Sequence, residues 1–265
     1  MAMTAELGAD FDMARDLAAV SIRSLDDVRA AAEALRDIAL RLGNLKVAVV
    51  DNIASKQPMV DAEGNVLAAD VYGWTGDDER WWADTRLALS SPLPRACRYE
   101  SEPFWVNAQG FRTRQHNRYL DQIGLENFEK RALTRGAVVI PIHLPFGQIG
   151  VATYNRMDRG DDLSAEYEAY ADYFGLLTHR FIAGYVKTHR TRQWLPGDCQ
   201  LTKREVECLR WASIGKTDKE ISLILARSHA TVRFHIQNAG EKLDAVNRSQ
   251  TIFKAAQLGY LGAAA

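Results

Sequence analysis

The sequence predicts an α+β chain: a front domain built as an α/β/α sandwich around an antiparallel sheet, then an all-α domain of four short helices. Three observations carry that expectation. Residues 136–155 read as two strands and a turn, AVVIPIHL, Pro145-Phe146-Gly147, QIGVATYN. Helical patterns with one apolar side flank this pair at 25–42 and 163–188. Residues 201–258 hold four helix starts in succession, the middle two spaced as a helix-turn-helix.

Taken in order, residues 12–19 and 25–42 look helical. In the second, Val28, Ala32, Leu35, Ile38 and Leu42 share a face, and Gly43-Asn44 break it. LKVAVV at 45–50 has the pattern of a buried strand. Residues 58–69 read as a hairpin around Glu63-Gly64-Asn65. A tryptophan-rich helix at 77–89 is ended by Pro92 and Pro94. Residues 103–107 make a short strand, followed by an irregular polar stretch and a helix over about 125–133. After the strand pair, the long helix at 163–188 aligns Tyr167, Tyr170, Phe174, Leu177, Phe181 and Tyr185 on one side. RTRQWLPGDCQ, residues 190–200, is a linker marked by Pro196-Gly197, which sets domains at 1–189 and 201–265. Helices, a meandering sheet and a closing helix describe a sensor module of the PAS or GAF kind.

The tail repeats one device. Thr202 caps a helix with Glu205 three residues on, Val206, Leu209 and Ala212 form its apolar face, and Gly215 ends it. Thr217 and Glu220 start the second helix, whose buried side is Ile221, Leu223, Ile224 and Leu225. Ser228 caps the third, in which Val232, Ile236, Ala239 and Leu243 fall on one face. The opposite face carries Thr231, Arg233, His235, Gln237 and Asn238, groups that reach phosphates and base edges. Asn247, Arg248 and Ser249 make a turn and cap before a fourth helix at 251–258.

At 265 residues the chain has room for two domains with real cores, and its formal charge is -1. That near-neutrality argues against a general sheath of nucleic-acid binding. The charge is uneven: residues 198–265 hold ten Lys and Arg against seven Asp and Glu, about +3. The three cysteines, Cys97, Cys199 and Cys208, form no C-x-x-C pair and no metal spacing with histidine, so reduced thiols, no metal and a cytoplasmic location are expected. The first dozen residues lack a signal peptide's apolar core, and no run is long enough to span a membrane.

The tail motifs LT-x-RE-x-E-x-L (201–209), IGKTDKEIS (214–222), S-x-x-TVRFHI (228–236) and KL-x-x-x-NR (242–248) resemble the C-terminal domain of LuxR-type regulators over about 60 residues. The resemblance implies a homodimer on double-stranded DNA, with Arg233 and Gln237 reading bases. It implies phosphate contacts by Lys216, Thr217, Ser228, Thr231, His235 and Lys242, and structural roles for Glu205, Leu209 and Gly215. The fourth helix resembles one that pairs subunits; Ile252, Phe253 and Leu258 fit that interface or their own core.

Over residues 25–188 the resemblance to the same family is looser. Gly136, Pro141 and Gly147 match its glycine-proline-glycine pattern. It implies a small-molecule signal such as an acyl-homoserine lactone, held by Trp105 at the lactone carbonyl and Thr153 near the acyl amide, with Trp74 and Trp82 at tyrosine positions. Two positions depart: Ser91 stands where the family's aspartate accepts the signal's amide N–H, and Asp78 falls where a tryptophan is expected unless Trp81 serves. A serine carries no charge and holds an amide less strongly. Those departures leave a ligand-independent regulator, whose front domain only dimerises, as the alternative. Two rivals are more distant. A phosphorylated receiver would need more than Asp51 after LKVAVV, since no second strand ends in aspartate and none in Lys-Pro. A signal-degrading enzyme would need a G-x-S-x-G elbow or a histidine–aspartate metal cluster, and neither motif is present in the sequence. No cofactor is expected.

Overall fold

The computed structural model describes residues 12–76, 90–156, 160–189 and 199–262. The helix expected at 77–89, with Asp78, Trp81 and Trp82, and the linker stretch 190–198 lie outside the described residues. By internal contacts the chain separates into two units, residues 1–144 with 148–189, and residues 190–265 with 145–147.

The first unit opens with α1 (Met13–Ala19) and α2 (Val28–Gly43), then β1 (Leu45–Val50). Asn44, in the left-handed region at φ 49°, turns the chain from α2 into β1. Short helices α3 (Leu67–Asp70) and α4 (Pro92–Ala96) follow, then β2 (Phe104–Asn107), β3 (Gly110–Arg112), α5 (Phe128–Ala132), β4 (Gly136–His143), β5 (Ile149–Arg156) and the long α6 (Ser164–His189). The strands form one antiparallel sheet in the order β1-β5-β4-β2-β3. Its two faces follow from the period of two along each strand. Leu45, Val47, Val138, Ile140, Ala152 and Tyr154 face the layer of α2 and α6, where Leu35, Phe174, Leu177 and Phe181 complete the core. Phe104, Val106, Ala137, Val139 and Val151 face the other way, against Leu93, Ala96, Cys97, Leu120, Ile123 and Phe128. Helical layers on both faces give the expected α/β/α sandwich.

Three local expectations change. The hairpin at 58–69 is reduced to one bridge between Val60 and Val66, and its last residues enter α3. Asp61 is the reason: its carboxylate accepts the backbone N–H groups of Glu63 and Asn65, which a ladder would otherwise use. The helix at 125–133 shortens to α5, because Asn127 (φ 54°) and Leu133 (φ 57°) are left-handed at its two ends. The polar stretch after β2 contains β3. Pro92, beyond ending the upstream segment, opens α4 at a position where its fixed φ is suited and its missing N–H costs nothing. Gly136 is required by proximity: a Cβ there would stand 2.6 Å from the Asp161 carbonyl oxygen and 2.7 Å from Leu163 Cδ1.

The second unit holds α7 (Lys203–Ser213), α8 (Asp218–Ile224), α9 (His229–Lys242) and α10 (Arg248–Gln257) around Leu209, Ile221, Val232, Ala239, Leu243 and Ala255. Each helix begins on a side-chain cap, Thr202, Thr217, Ser228 and Asn247. Each ends on a left-handed residue, Gly215, Ala226, Asp244 and Gly259. After each of those, the next backbone N–H reaches back into the last helical turn, as from Arg227 to the Ser222 carbonyl at 3.0 Å. One expectation is corrected here. Leu223 and Ile224 do not join the buried side of α8: Leu223 is 75% exposed and Ile224 is exposed as well. At about 100° per residue, Leu223 falls roughly opposite Ile221 on this short helix, and Ser222 is buried instead.

Candidate nucleic-acid interface and sensor cavity

Helix α9 is held by its neighbours through polar contacts that leave one face bare. Ser228 Oγ accepts the backbone N–H of Thr231 at 3.0 Å and lies 2.8 Å from Thr231 Oγ1. Arg233 and Gln237, one turn apart, are exposed. The Arg233 guanidinium bonds to no described residue, and Gln237 Nε2 has only a long contact, 3.4 Å, to Glu241. His235 and Thr231 are half-buried at the edge of a cleft that also takes in Arg204 and Arg227. Arg227 was not singled out in the sequence. It lies directly before the Ser228 cap, at the positive end of the α9 dipole, a place suited to a phosphate.

Other expected contacts are engaged within the unit. Lys242 is the clearest correction. Its ammonium donates to both oxygens of the buried Glu205 carboxylate, at 3.0 and 2.9 Å, and Glu205 also accepts the Thr202 backbone N–H at 2.7 Å. Burial pushes the Glu205 carboxyl up, but Lys242 and the Thr202 donors outweigh it and hold it below the usual range. Moving Lys242 to a phosphate would leave a buried carboxylate without its cation, so its place is in the scaffold. The Thr217 hydroxyl donates to Glu220 at 2.8 Å while accepting the Glu220 backbone N–H, and Lys216 Nζ lies 3.9 Å from Glu220. Arg248 ties α10 to the start of α8, through Asp218 and the Lys216 carbonyl. Lys254, buried, donates to the carbonyls of Leu243 and Asp244 at the end of α9, where the helix dipole favours a cation.

The first unit contains an apolar cavity of about 90 Å³ against β1 and β5, walled by Ala48, Val50, Met59, Leu93, Pro94 and Val151. Ser91 and Thr153 line it, as does Trp74. Trp74 already donates its indole N–H to the Val47 carbonyl on the edge strand, with the Lys46 ammonium 3.9 Å from its ring centre. That closes part of an open sheet edge and leaves no N–H for a ligand. Trp105 does not join this group. It pairs with Val138 and packs on the α2–α6 side, with the Arg112 guanidinium 5.8 Å from its ring centre. The odd–even alternation of β2, which puts Phe104 and Val106 on the cavity side of the sheet, excludes Trp105 from it. Trp82 lies outside the described residues. The Arg131 guanidinium also borders the cavity, and it donates to the carbonyls of Ser90, Gly124 and Glu126, holding Ser91 in the wall. Cys97, behind this wall, is buried with its thiol pushed up to about 12 by burial, which suits packing and not reactivity.

Residues 199–255 match the family described as bacterial regulatory proteins, luxR family. The transcriptional activator protein LuxR of Aliivibrio fischeri is 35% identical over 136 residues, 50% of this chain and 54% of that protein. The match therefore spans about half the length of that relative. The HTH-type quorum sensing-dependent transcriptional regulator RpaR of Rhodopseudomonas palustris is 29% identical over 197 residues, 71% of this chain and 73% of that one. Among solved structures, SdiA in complex with octanoyl-rac-glycerol aligns over 95% of this chain and 96% of that chain, at 20% identity and a TM-score of 0.44.

Proposed function

We propose, from the match of residues 199–255 to the bacterial regulatory proteins of the luxR family, that this chain is a sequence-specific transcriptional regulator binding double-stranded DNA as a homodimer. The observation that carries the reading is the bare face of α9, with Arg233 and Gln237 one turn apart and without strong partners of their own. Arg233 engages a base, most naturally guanine through two hydrogen bonds, and Gln237 reads its neighbour. Ser228, Thr231, His235 and Arg227 meet the phosphates around the start of the helix; Lys216 and Thr217 join them from the start of α8. Two such helices, related by the dimer axis, enter successive major grooves about 10 base pairs apart or a multiple of that.

In this reading residues 1–189 are the sensor, 190–200 the linker and 201–265 the DNA-binding domain. The chain works in the cytoplasm and catalyses no reaction. Among the described residues no helix is long and apolar enough to cross a membrane. A small, mainly apolar signal occupies the cavity and favours one arrangement of the protein through unequal affinity for two states. Relatives named as quorum-sensing regulators support a diffusible signal, an acyl-homoserine lactone or another compound. The cavity volume, about 90 Å³, is well below the roughly 300–1,000 Å³ of drug-sized pockets. It favours a short occupant or a wall that yields. It also keeps a second reading open, in which the sensor unit only dimerises.

The test is selection of bound fragments from genomic DNA, followed by footprinting with Arg233→Ala. The expected loss is about 1–3 kcal/mol at one base pair, with relaxed selection there. Unchanged selection would remove Arg233 from base readout; no retained fragment at low salt would remove the function.

A further inference from the structure

One polar group in the cavity wall has an orientation that its surroundings dictate. Asn155, on β5 two residues after Thr153, is 4% exposed and lines the cavity. Its Nδ2 lies 3.1 Å from the Lys46 carbonyl oxygen, 3.2 Å from the Thr153 carbonyl oxygen and 3.0 Å from Thr153 Oγ1. A carbonyl oxygen can only accept, so the amide nitrogen must stand at this place. Turning the amide over would set its oxygen against two carbonyl oxygens. Asn155 Oδ1 is thereby directed away from β1 and has no hydrogen-bond partner among the described residues. That oxygen keeps some accessible surface, so a donor placed in the cavity can reach it and form a hydrogen bond.

The rest of the wall narrows what could pair with it. The described wall is mostly apolar, which disfavours an ion that brings no counter-charge of its own. An anion would meet the negative end of the Asn155 amide, while Arg131 is already committed to three carbonyls. We propose that Asn155 Oδ1 is the specificity-determining acceptor of the cavity, and that its ligand is a neutral molecule presenting one hydrogen-bond donor, an amide N–H or a hydroxyl. This rests on the reading of the first unit as a ligand sensor and states which chemistry that sensor selects. It also supplies an acceptor that does not depend on Ser91.

Three short probes separate the possibilities: N-methylbutanamide, pentan-2-ol and methyl butanoate, titrated into the full-length protein and followed by ligand-observed NMR. The ester matches the amide in size and lacks the donor. The amide, the alcohol or both bind roughly tenfold tighter than the ester, the amount one buried hydrogen bond supplies; which of the two does so identifies the donor. Asn155→Leu brings the probes to equal affinity. If all three bind the wild-type protein equally, the Asn155 assignment is overturned and the cavity remains a site. If none binds, the assignment and the sensor reading fall together. Asn155→Leu also removes one bond between strands and two within β5, so the wild-type series decides the matter if that variant does not fold.

Discussion

The two faces of the five-stranded sheet are filled in different ways, although the same strands make both. On the α2–α6 side, β5 contributes Ala152 and Tyr154 to a continuous apolar core, and the Tyr154 ring stacks on Phe174 at 4.0 Å between centres. On the other side the same strand offers Val151, Thr153 and Asn155 to a cavity. Alternation along a strand lets one face hold the fold while its neighbour stays open to a ligand. The difference implies that stability is concentrated on one face and selectivity on the other. Each experiment below either breaks that division or sharpens it.

The largest effect is expected at Phe174→Ala. The ring is fully buried and removing it leaves a cavity beside Tyr154, at a cost of about 3–5 kcal/mol. Urea denaturation of the first unit should show the loss. A cost below about 1.5 kcal/mol would mean that the α2–α6 face is not where the fold is held.

The next effect concerns what holds the cavity's loop, which brings Gln57, Pro58 and Met59 to the wall. Asp61 ties this loop together, accepting from the backbones of Glu63 and Asn65, the Asn65 amide and, at 3.0 Å, Arg29. Burial pushes the Asp61 carboxyl up, but these bonds outweigh it and bring its pKa down to about 2 from 3.8. A carboxyl depressed in the folded state contributes stability above its unfolded pKa and loses it as the pH falls toward the folded one. The loop should therefore loosen between about pH 4 and pH 2, and Asp61→Asn should abolish that step. Hydrogen exchange at Asn65 and Leu67 across the window is the measurement; protection independent of pH would show that apolar contacts hold the loop as well.

The same division explains which features could be read from the sequence. In the second unit the caps Thr202, Thr217, Ser228 and Asn247 were legible because each acts on a backbone group three residues away. The β4–β5 pair was legible because its turn is local. The engagement of Lys242 by Glu205, 37 residues distant, and the burial of Lys254 under the end of α9 were not, since a lysine on a helix looks alike whether it faces solvent or a carbonyl. The exposure of Leu223 and Ile224 escaped for a related reason: four apolar residues within five positions leave the buried side of a short helix undefined. In the cavity, Ser91 and Thr153 came from family resemblance. Asn155 was invisible, because its role depends on the Lys46 carbonyl of β1, reached only through the pairing of β1 with β5. Trp105 was misplaced because counting along a chain gives position but not which side of a sheet it faces.

A smaller effect, opposite in sign, is expected within the filled face. The Tyr72 hydroxyl is buried there and has no hydrogen-bond partner among the described residues. Tyr72→Phe should raise stability by roughly 1 kcal/mol, the desolvation cost of an unpaired hydroxyl. A destabilised variant would reveal a partner, such as a bound water, and a polar seam in the filled face.

The smallest effect is expected at Thr153→Val, and it is the most direct test of the division. Valine keeps the shape of threonine, so the wall is not emptied. What disappears is one acceptor for the Asn155 amide, at 3.0 Å. The carbonyls of Lys46 and Thr153 remain and are sufficient to fix that amide. Stability should move by less than about 1 kcal/mol, and the Asn155 side-chain amide resonances should stay slowly exchanging and singly populated. If instead the variant loses as much as a core truncation, Thr153 is part of the fold's support and the cavity face is not spared. If stability holds but the Asn155 amide begins to flip, the hydroxyl and not the carbonyls orients it, and the selectivity of the cavity depends on Thr153 as much as on Asn155.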